Sequence, residues 1–225
     1  LLEVLGGRRY PLGGMIELTE RCNLSCVHCY INQPAGSVEH RQAELTTSQV
    51  KSVLDKMADA GTLFVTLTGG EVLLRPDFKE IYLHAKQRGM LVTVFTNGTL
   101  ISEEMADFLA EYRPTAVEVS IYGATEDTCE RVTGIKGAFE RCRRGIQLLV
   151  NRNITLVLKT FVLTINQHET GELESLAGEL GARFRSDAII WPRLDGNPEA
   201  LRYQLSLEEL VEFEQNTAQK IEEWK

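Results

Sequence analysis

Basic charge is what this 225-residue sequence is short of: 24 Lys and Arg stand against 32 Asp and Glu, for a formal net charge of −8. A nucleic-acid footprint or a polybasic membrane patch needs a surplus of cations, so neither is expected. Long apolar runs are also missing. The longest, "ITLVLKTFVLTI" at 154–165, is interrupted by Lys159 and too short to span a bilayer. A charged-then-apolar leader with a small-residue cleavage site is absent as well. Cysteine is scarce and unevenly placed: Cys22, Cys26 and Cys29 fall within eight residues, whereas Cys129 and Cys142 stand alone. Such spacing does not resemble a disulfide framework, and a reducing, cytoplasmic setting is expected. The first residue is Leu and the last lie in a helical run, so the chain is expected to be a piece of a longer protein.

What is present is an alternation of strands and helices. Strands are expected at 14–19, 63–68, 91–96, 116–121, 155–163 and 187–191. The helices between them carry end signals. Thr46 with Gln49 and Ser206 with Glu209 form capping boxes, Ser102 caps an acid-led helix, Pro76 suits a first turn, and Gly61 and Gly89 suit exits. Six strands joined by helices imply parallel pairing with right-handed crossovers. A doubly wound sheet and a partial barrel both fit that count. The segments 30–45 and 193–200 read as loops. The chain divides into a lead-in over 1–12, a core over 13–205 and a C-terminal helix over 206–225.

The "CNLSCVHC" loop follows the first strand directly, at the carboxyl end where α/β proteins build their sites. Three thiolates at C-x₃-C-x₂-C can hold three corners of an iron–sulfur cube and leave the fourth iron open. A structural zinc site needs a fourth ligand, for which His28 or His40 are the candidates. "CVHC" alone also matches a redox-active pair, but Cys22 is then surplus. Haem attachment is excluded, because Tyr30 and not His follows the last cysteine.

The loop, together with "LTGGE" at 67–71, resembles the radical S-adenosylmethionine (SAM) enzymes. "VTVFTNGTL", "VEVSIYGATEDTCERVTG" and "GAFERCRRGIQLL" resemble the subgroup with a C-terminal SPASM or twitch domain. Val72 departs from it, since proline commonly follows GGE there. The resemblance implies an α/β fold, a partial (β/α)₆ barrel of parallel strands. It also implies a [4Fe-4S] cluster on Cys22, Cys26 and Cys29, with SAM on the open iron. Reductive cleavage of SAM then gives a 5′-deoxyadenosyl radical that takes hydrogen from a C–H bond. By the same resemblance Gly69, Gly70 and Glu71 hold the methionyl amine, and His28 lies near the adenine. Ser120 and Asn97 are polar contacts, and Arg144 reaches the SAM carboxylate, with Arg141 and Arg143 as rivals.

Lys159 shares a strand face with Val157 and Phe161 and points at SAM or the substrate if that face lines the barrel. The expected activity is maturation of a ribosomally made peptide. The alternatives are a tetrapyrrole or quinone precursor as substrate, or a metal-binding protein without turnover. A flavodoxin or ferredoxin is the expected electron donor, and auxiliary iron–sulfur clusters are expected only in a region beyond this chain.

Overall fold

The structure is a computed structural model that describes residues 10–31 and 33–216. Six strands make one parallel sheet: β1 (Gly13–Glu17), β4 (Phe64–Thr68), β5 (Leu91–Thr96), β6 (Ala116–Ser120), β7 (Leu156–Phe161) and β8 (Arg183–Asp187), neighbours in that order. A two-residue parallel pair, β2 (Arg21–Cys22) with β3 (Gln33–Pro34), lies apart within the loop after β1. Neighbouring strands of the main sheet follow each other in sequence, so every crossover advances by one position. This is the α/β fold with six parallel strands that the sequence implied.

Helices α2 (Thr47–Asp59), α3 (Phe78–Gln87), α4 (Glu103–Glu111), α6 (Ala138–Val150) and α7 (Thr170–Glu179) bury their apolar residues against one face of the sheet. Val65, Leu67, Val92, Val94, Val117, Val119 and Leu158 come up from the strands into that core. Alternation then turns the intervening residues to the opposite face. Phe95 on β5 is level with Glu118 on β6, and Ser120 on β6 is level with Lys159 on β7 and Arg185 on β8. A flat six-stranded sheet would separate its edges by roughly 24 Å. Yet Met15 of β1 and Arg185 of β8 line the same cavity of about 350 Å³. The sheet therefore curls into a partial barrel, with this face inside.

Both capping boxes form: the Thr46 and Ser206 amides donate to Gln49 Oε1 and Glu209 Oε2, and the hydroxyls accept in return. Helix α8 (Leu207–Asn216) follows the second. The expected lead-in up to residue 9, and the expected C-terminal helix from residue 217 onward, lie outside the described residues.

Two expectations need correction. The sixth strand is Arg183–Asp187, not 187–191. It is an edge strand whose inward side chains are Arg183, Arg185 and Asp187, so it carries none of the apolar alternation that marks a strand. The "AIIW" run instead divides its side chains, with Ile190 packed against Tyr122 and Leu163 and Trp191 open at the cavity. The segment 30–45 also holds a short helix, α1 (Val38–Ala43), begun by Ser37, whose hydroxyl accepts from the His40 amide.

Candidate active site

The cysteine loop leaves β1 and folds back over the open end of the barrel. Arg21, just before Cys22, donates to Glu44 at 2.7 Å and to the Ala35 carbonyl at 2.9 Å. Further along, the Ser25 and Val27 amides donate to the Thr133 and Val132 carbonyls of α5 (Glu126–Thr133), both at 2.9 Å. Held at both ends, the loop brings Cys22, Cys26 and Cys29 to the cavity wall. Burial pushes the Cys22 thiol up to about 11, against the lowering effect of the Leu24 amide. Burial, with Cys29 and Cys22 close by, raises Cys26 well above the usual thiol range. Cys22 and Cys26, which resist ionisation, need a cation nearby to become thiolates, which is what a metal centre supplies. Among the described residues, no three His, Cys, Asp or Glu side chains converge on a single metal-ion position.

Gly69 and Gly70 line the cavity with the thiols, and their backbone presses on the chain leading to Cys22. A methyl group on Gly69 would stand 2.3 Å from the Thr19 carbonyl oxygen, and one on Gly70 2.3 Å from that of Arg21. Gly69 also has φ +138, a conformation side chains disfavour. Only a glycine pair lets these two segments approach so closely. The Gly70 and Glu71 amides donate across the gap, to the Thr19 and Arg21 carbonyls at 2.7 and 2.9 Å.

Glu71 behaves differently from the expectation that its carboxylate meets the cofactor amine. It is fully buried and does not line the cavity. Its oxygens accept from the Thr96 hydroxyl at 2.8 and 2.9 Å, the Asn97 amide at 2.7 Å and the Leu73 amide at 3.1 Å. The side chain clamps the glycine turn to the Thr96–Asn97 loop and leaves the backbone of Gly69 and Gly70 to face any ligand. Glu71→Gln should therefore destabilise the fold by about 1–3 kcal/mol, since an amide nitrogen must meet one of those N–H donors. Denaturant titration checks this, and unchanged stability would mean that the carboxylate is turned toward the cavity instead.

Asn97 lines the cavity, and its side chain ties the loops together. Its amide donates to Asn23 Oδ1 at 2.9 Å and, at 3.6 Å, to the Cys22 sulfur, while its oxygen accepts from Thr99. Ser120 stands at the tip of β6 on the cavity wall. His28 is buried with its ring against Tyr122 and Phe161, at 4.7 and 5.3 Å between centroids. Burial pushes its imidazole down to about 4, so the ring is neutral. Its Nδ1 is buried without a hydrogen-bond partner.

Lys159 does point inward, as its strand face required, with its ammonium 3.0 Å from the Phe95 ring centre. Burial pushes it down to about 7; the nearby Arg185 adds to this, and Glu118 opposes it. Arg144 lies elsewhere: like Arg141 and Arg143 it is exposed on α6, and it is not part of the cavity lining. The charged residues of the cavity lining that sequence reasoning missed are Glu118, Arg185 and Asp187. Glu118 was legible as the residue two before Ser120 on the same strand face, but Arg185 lay in a strand that went unrecognised.

Residues 16–177 match the family model of the radical SAM superfamily. The chain belongs to this family. It is 38 % identical over 166 residues to an AdoMet-dependent heme synthase of Methanosarcina barkeri, covering 74 % of this chain and 47 % of that protein. It is 30 % identical over 174 residues to the antilisterial bacteriocin subtilosin biosynthesis protein AlbA of Bacillus subtilis, covering 77 % of this chain and 38 % of that protein. Its fold matches Streptococcus suis SuiB with a TM-score of 0.78 at 16 % identity, over 96 % of this chain and 48 % of that one. The radical SAM chain thus spans about half or less of the length of these relatives. Membership implies SAM and an iron–sulfur cluster as cofactors. The thiols, the unpartnered His28 nitrogen and the glycine cradle on one cavity fit such a pair. Among the described residues no helix is long and apolar enough to cross a membrane.

Proposed function

We propose that this radical SAM chain binds one [4Fe-4S] cluster through Cys22, Cys26 and Cys29 and cleaves SAM reductively. The observation that carries the reading is that the three thiols and the Gly69–Gly70 backbone line one cavity. When bound, the reduced cluster and SAM supply a 5′-deoxyadenosyl radical that abstracts hydrogen from a substrate C–H bond. The chain's own residues bind, orient and exclude water. Three of the four irons would each take one thiolate, so the sulfurs need not converge on one point. The Gly69 and Gly70 backbone takes the methionyl amine, with Glu71 holding that backbone in place. His28, on the cavity wall against Tyr122 and Phe161, lies near the adenine, and Ser120 on the wall offers its hydroxyl to the ribose or carboxylate. Arg144, outside the lining, is left without an assigned contact.

The substrate is proposed to be a ribosomally made peptide, which the similarity to the subtilosin biosynthesis protein supports. A tetrapyrrole precursor is the second reading, favoured by the higher identity to the heme synthase. The partial coverage of both relatives supports residues 13–205 as the core of a longer protein, with α8 leading toward auxiliary clusters. A flavodoxin or ferredoxin in a cytoplasmic setting would deliver the electron. The test is electron paramagnetic resonance of the anaerobically reconstituted, reduced chain. A cluster signal that changes on adding SAM is expected, because SAM takes the open iron. A colourless protein with stoichiometric zinc contradicts the proposal.

A further inference from the structure

The cavity wall away from the cysteine loop carries a group of charges that neither the thiols nor the glycine cradle uses. Ser120, Lys159 and Arg185 are level with one another on three adjacent strands, and Glu118 lies one inward position deeper on β6. Glu118 is buried and accepts from Arg185 Nη1 at 3.2 and 3.4 Å. Asp187 lines the cavity as well, one inward position beyond Arg185 on β8, but the hydrogen bonds to Glu118 come from Arg185, so the Glu118 carboxylate is engaged by contact. The Lys159 ammonium rests on the Phe95 ring and has no hydrogen-bond acceptor among the described residues. Lys159 is half-buried, so an ammonium with only a π-face of the protein beneath it is left to the water of the cavity. Around it the wall is apolar: Met15, Phe95, Phe161 and Trp191 line the same cavity. Met15 and Trp191 are 60 % and 68 % exposed, large apolar surfaces left open at the cavity.

Resting on the reading that SAM occupies the thiol side of this cavity, we infer that Lys159 and Arg185 form a subsite for a substrate carboxylate on an apolar arm. The anion brings Lys159 a charged partner, since the hydrogen bonds to Glu118 come from Arg185. It also supplies the Lys159 ammonium with acceptors that no described side chain provides, and charge-assisted bonds are the stronger kind. The apolar wall takes the carbon skeleton that carries the carboxylate. Such an arm occurs as a propionate side chain of a tetrapyrrole or as an acidic side chain of a peptide, and the subsite recognises the chemistry they share.

The test reads Lys159 itself in the cluster-loaded, SAM-saturated chain. Acetylation of Lys159 by an N-hydroxysuccinimide ester is followed by peptide mass spectrometry, with exposed Lys56 as the internal standard. Glutarate, at concentrations on the order of 1–10 mM, is expected to slow labelling of Lys159 while Lys56 is unaffected. Glutaramide, its neutral counterpart, and chloride at equal ionic strength should not. Arg185→Gln should weaken glutarate protection roughly tenfold, the loss of one charge-assisted contact. Equal protection by glutaramide or chloride overturns the subsite. Complete protection by SAM alone overturns it too, because the anion would then be SAM's own carboxylate. A propionate-bearing porphyrin and an acidic peptide identify the source, by which of them protects at the lower concentration. SAM cleavage is measured separately, so protection by glutarate without any cleavage would leave the subsite standing and remove the radical SAM reading.

Discussion

Replacing any one of Cys22, Cys26 or Cys29 by alanine is expected to abolish the iron–sulfur cluster and with it all SAM cleavage. Each thiol is the sole link between its iron and the chain, and no other cysteine lines the cavity. Cys142 is buried against α6's neighbours, its sulfur 3.7 Å from the Ser120 carbonyl, and Cys129 is buried in α5. Neither can substitute without dismantling the core. The parent should be brown after anaerobic reconstitution, with about four irons per chain. Each of the three variants should hold far less iron and cleave SAM at least about 10³-fold more slowly, a loss above about 4 kcal/mol in transition-state terms. Cys129→Ala and Cys142→Ala should remain brown. Iron analysis beside the visible spectrum checks all five proteins, and a Cys26→Ala variant with full iron would mean that the ligand set is wrong.

Replacing Lys159 by methionine should stabilise the ligand-free protein. Burial depresses the Lys159 ammonium to about 7, against about 10.4 for a free lysine, with Arg185 adding to the shift and Glu118 and Glu71 opposing it. The unfolded chain then binds the proton more tightly than the folded one, so stability rises with pH between those values. The penalty is full below about pH 7 and gone above about pH 10. Lys159→Met removes it, and should gain about 2–4 kcal/mol at pH 7 and nothing near pH 10. Denaturant titrations across that range check the sign. A methionine variant less stable than the parent at pH 7 would show that the ammonium is satisfied where it stands. The gain also accords with a functional role, since sites keep groups that the fold would be more stable without.

The parts legible in the sequence are those where a local rule and the global fold agree. Cys22, Cys26 and Cys29 were readable because their spacing is short and the strand before them places the loop. Lys159 was readable because a lysine in an apolar strand must turn its head inward or to an edge. The β8 strand was not, because its inner face is charged to serve the cavity and its apolar neighbours, Ile190 and Trp191, follow it. The hydrogen bonds of Glu71 could not be read from the sequence. Its acceptors are claimed by Thr96 and Asn97, 25 and 26 residues away, and no spacing rule announces such a partner. Arg144 was chosen among three arginines within four residues, and nothing local distinguishes one face of α6 from another until the helix is docked.

The central claim is that this cavity converts SAM into a radical. The measurement that tests it is the yield of 5′-deoxyadenosine from SAM when the cluster-loaded chain is reduced with dithionite under strict anaerobiosis. Chromatography with mass detection should find 5′-deoxyadenosine with methionine in equal amounts from the parent, and neither from Cys26→Ala. A parent that holds its cluster, binds SAM and still releases no 5′-deoxyadenosine would contradict the account.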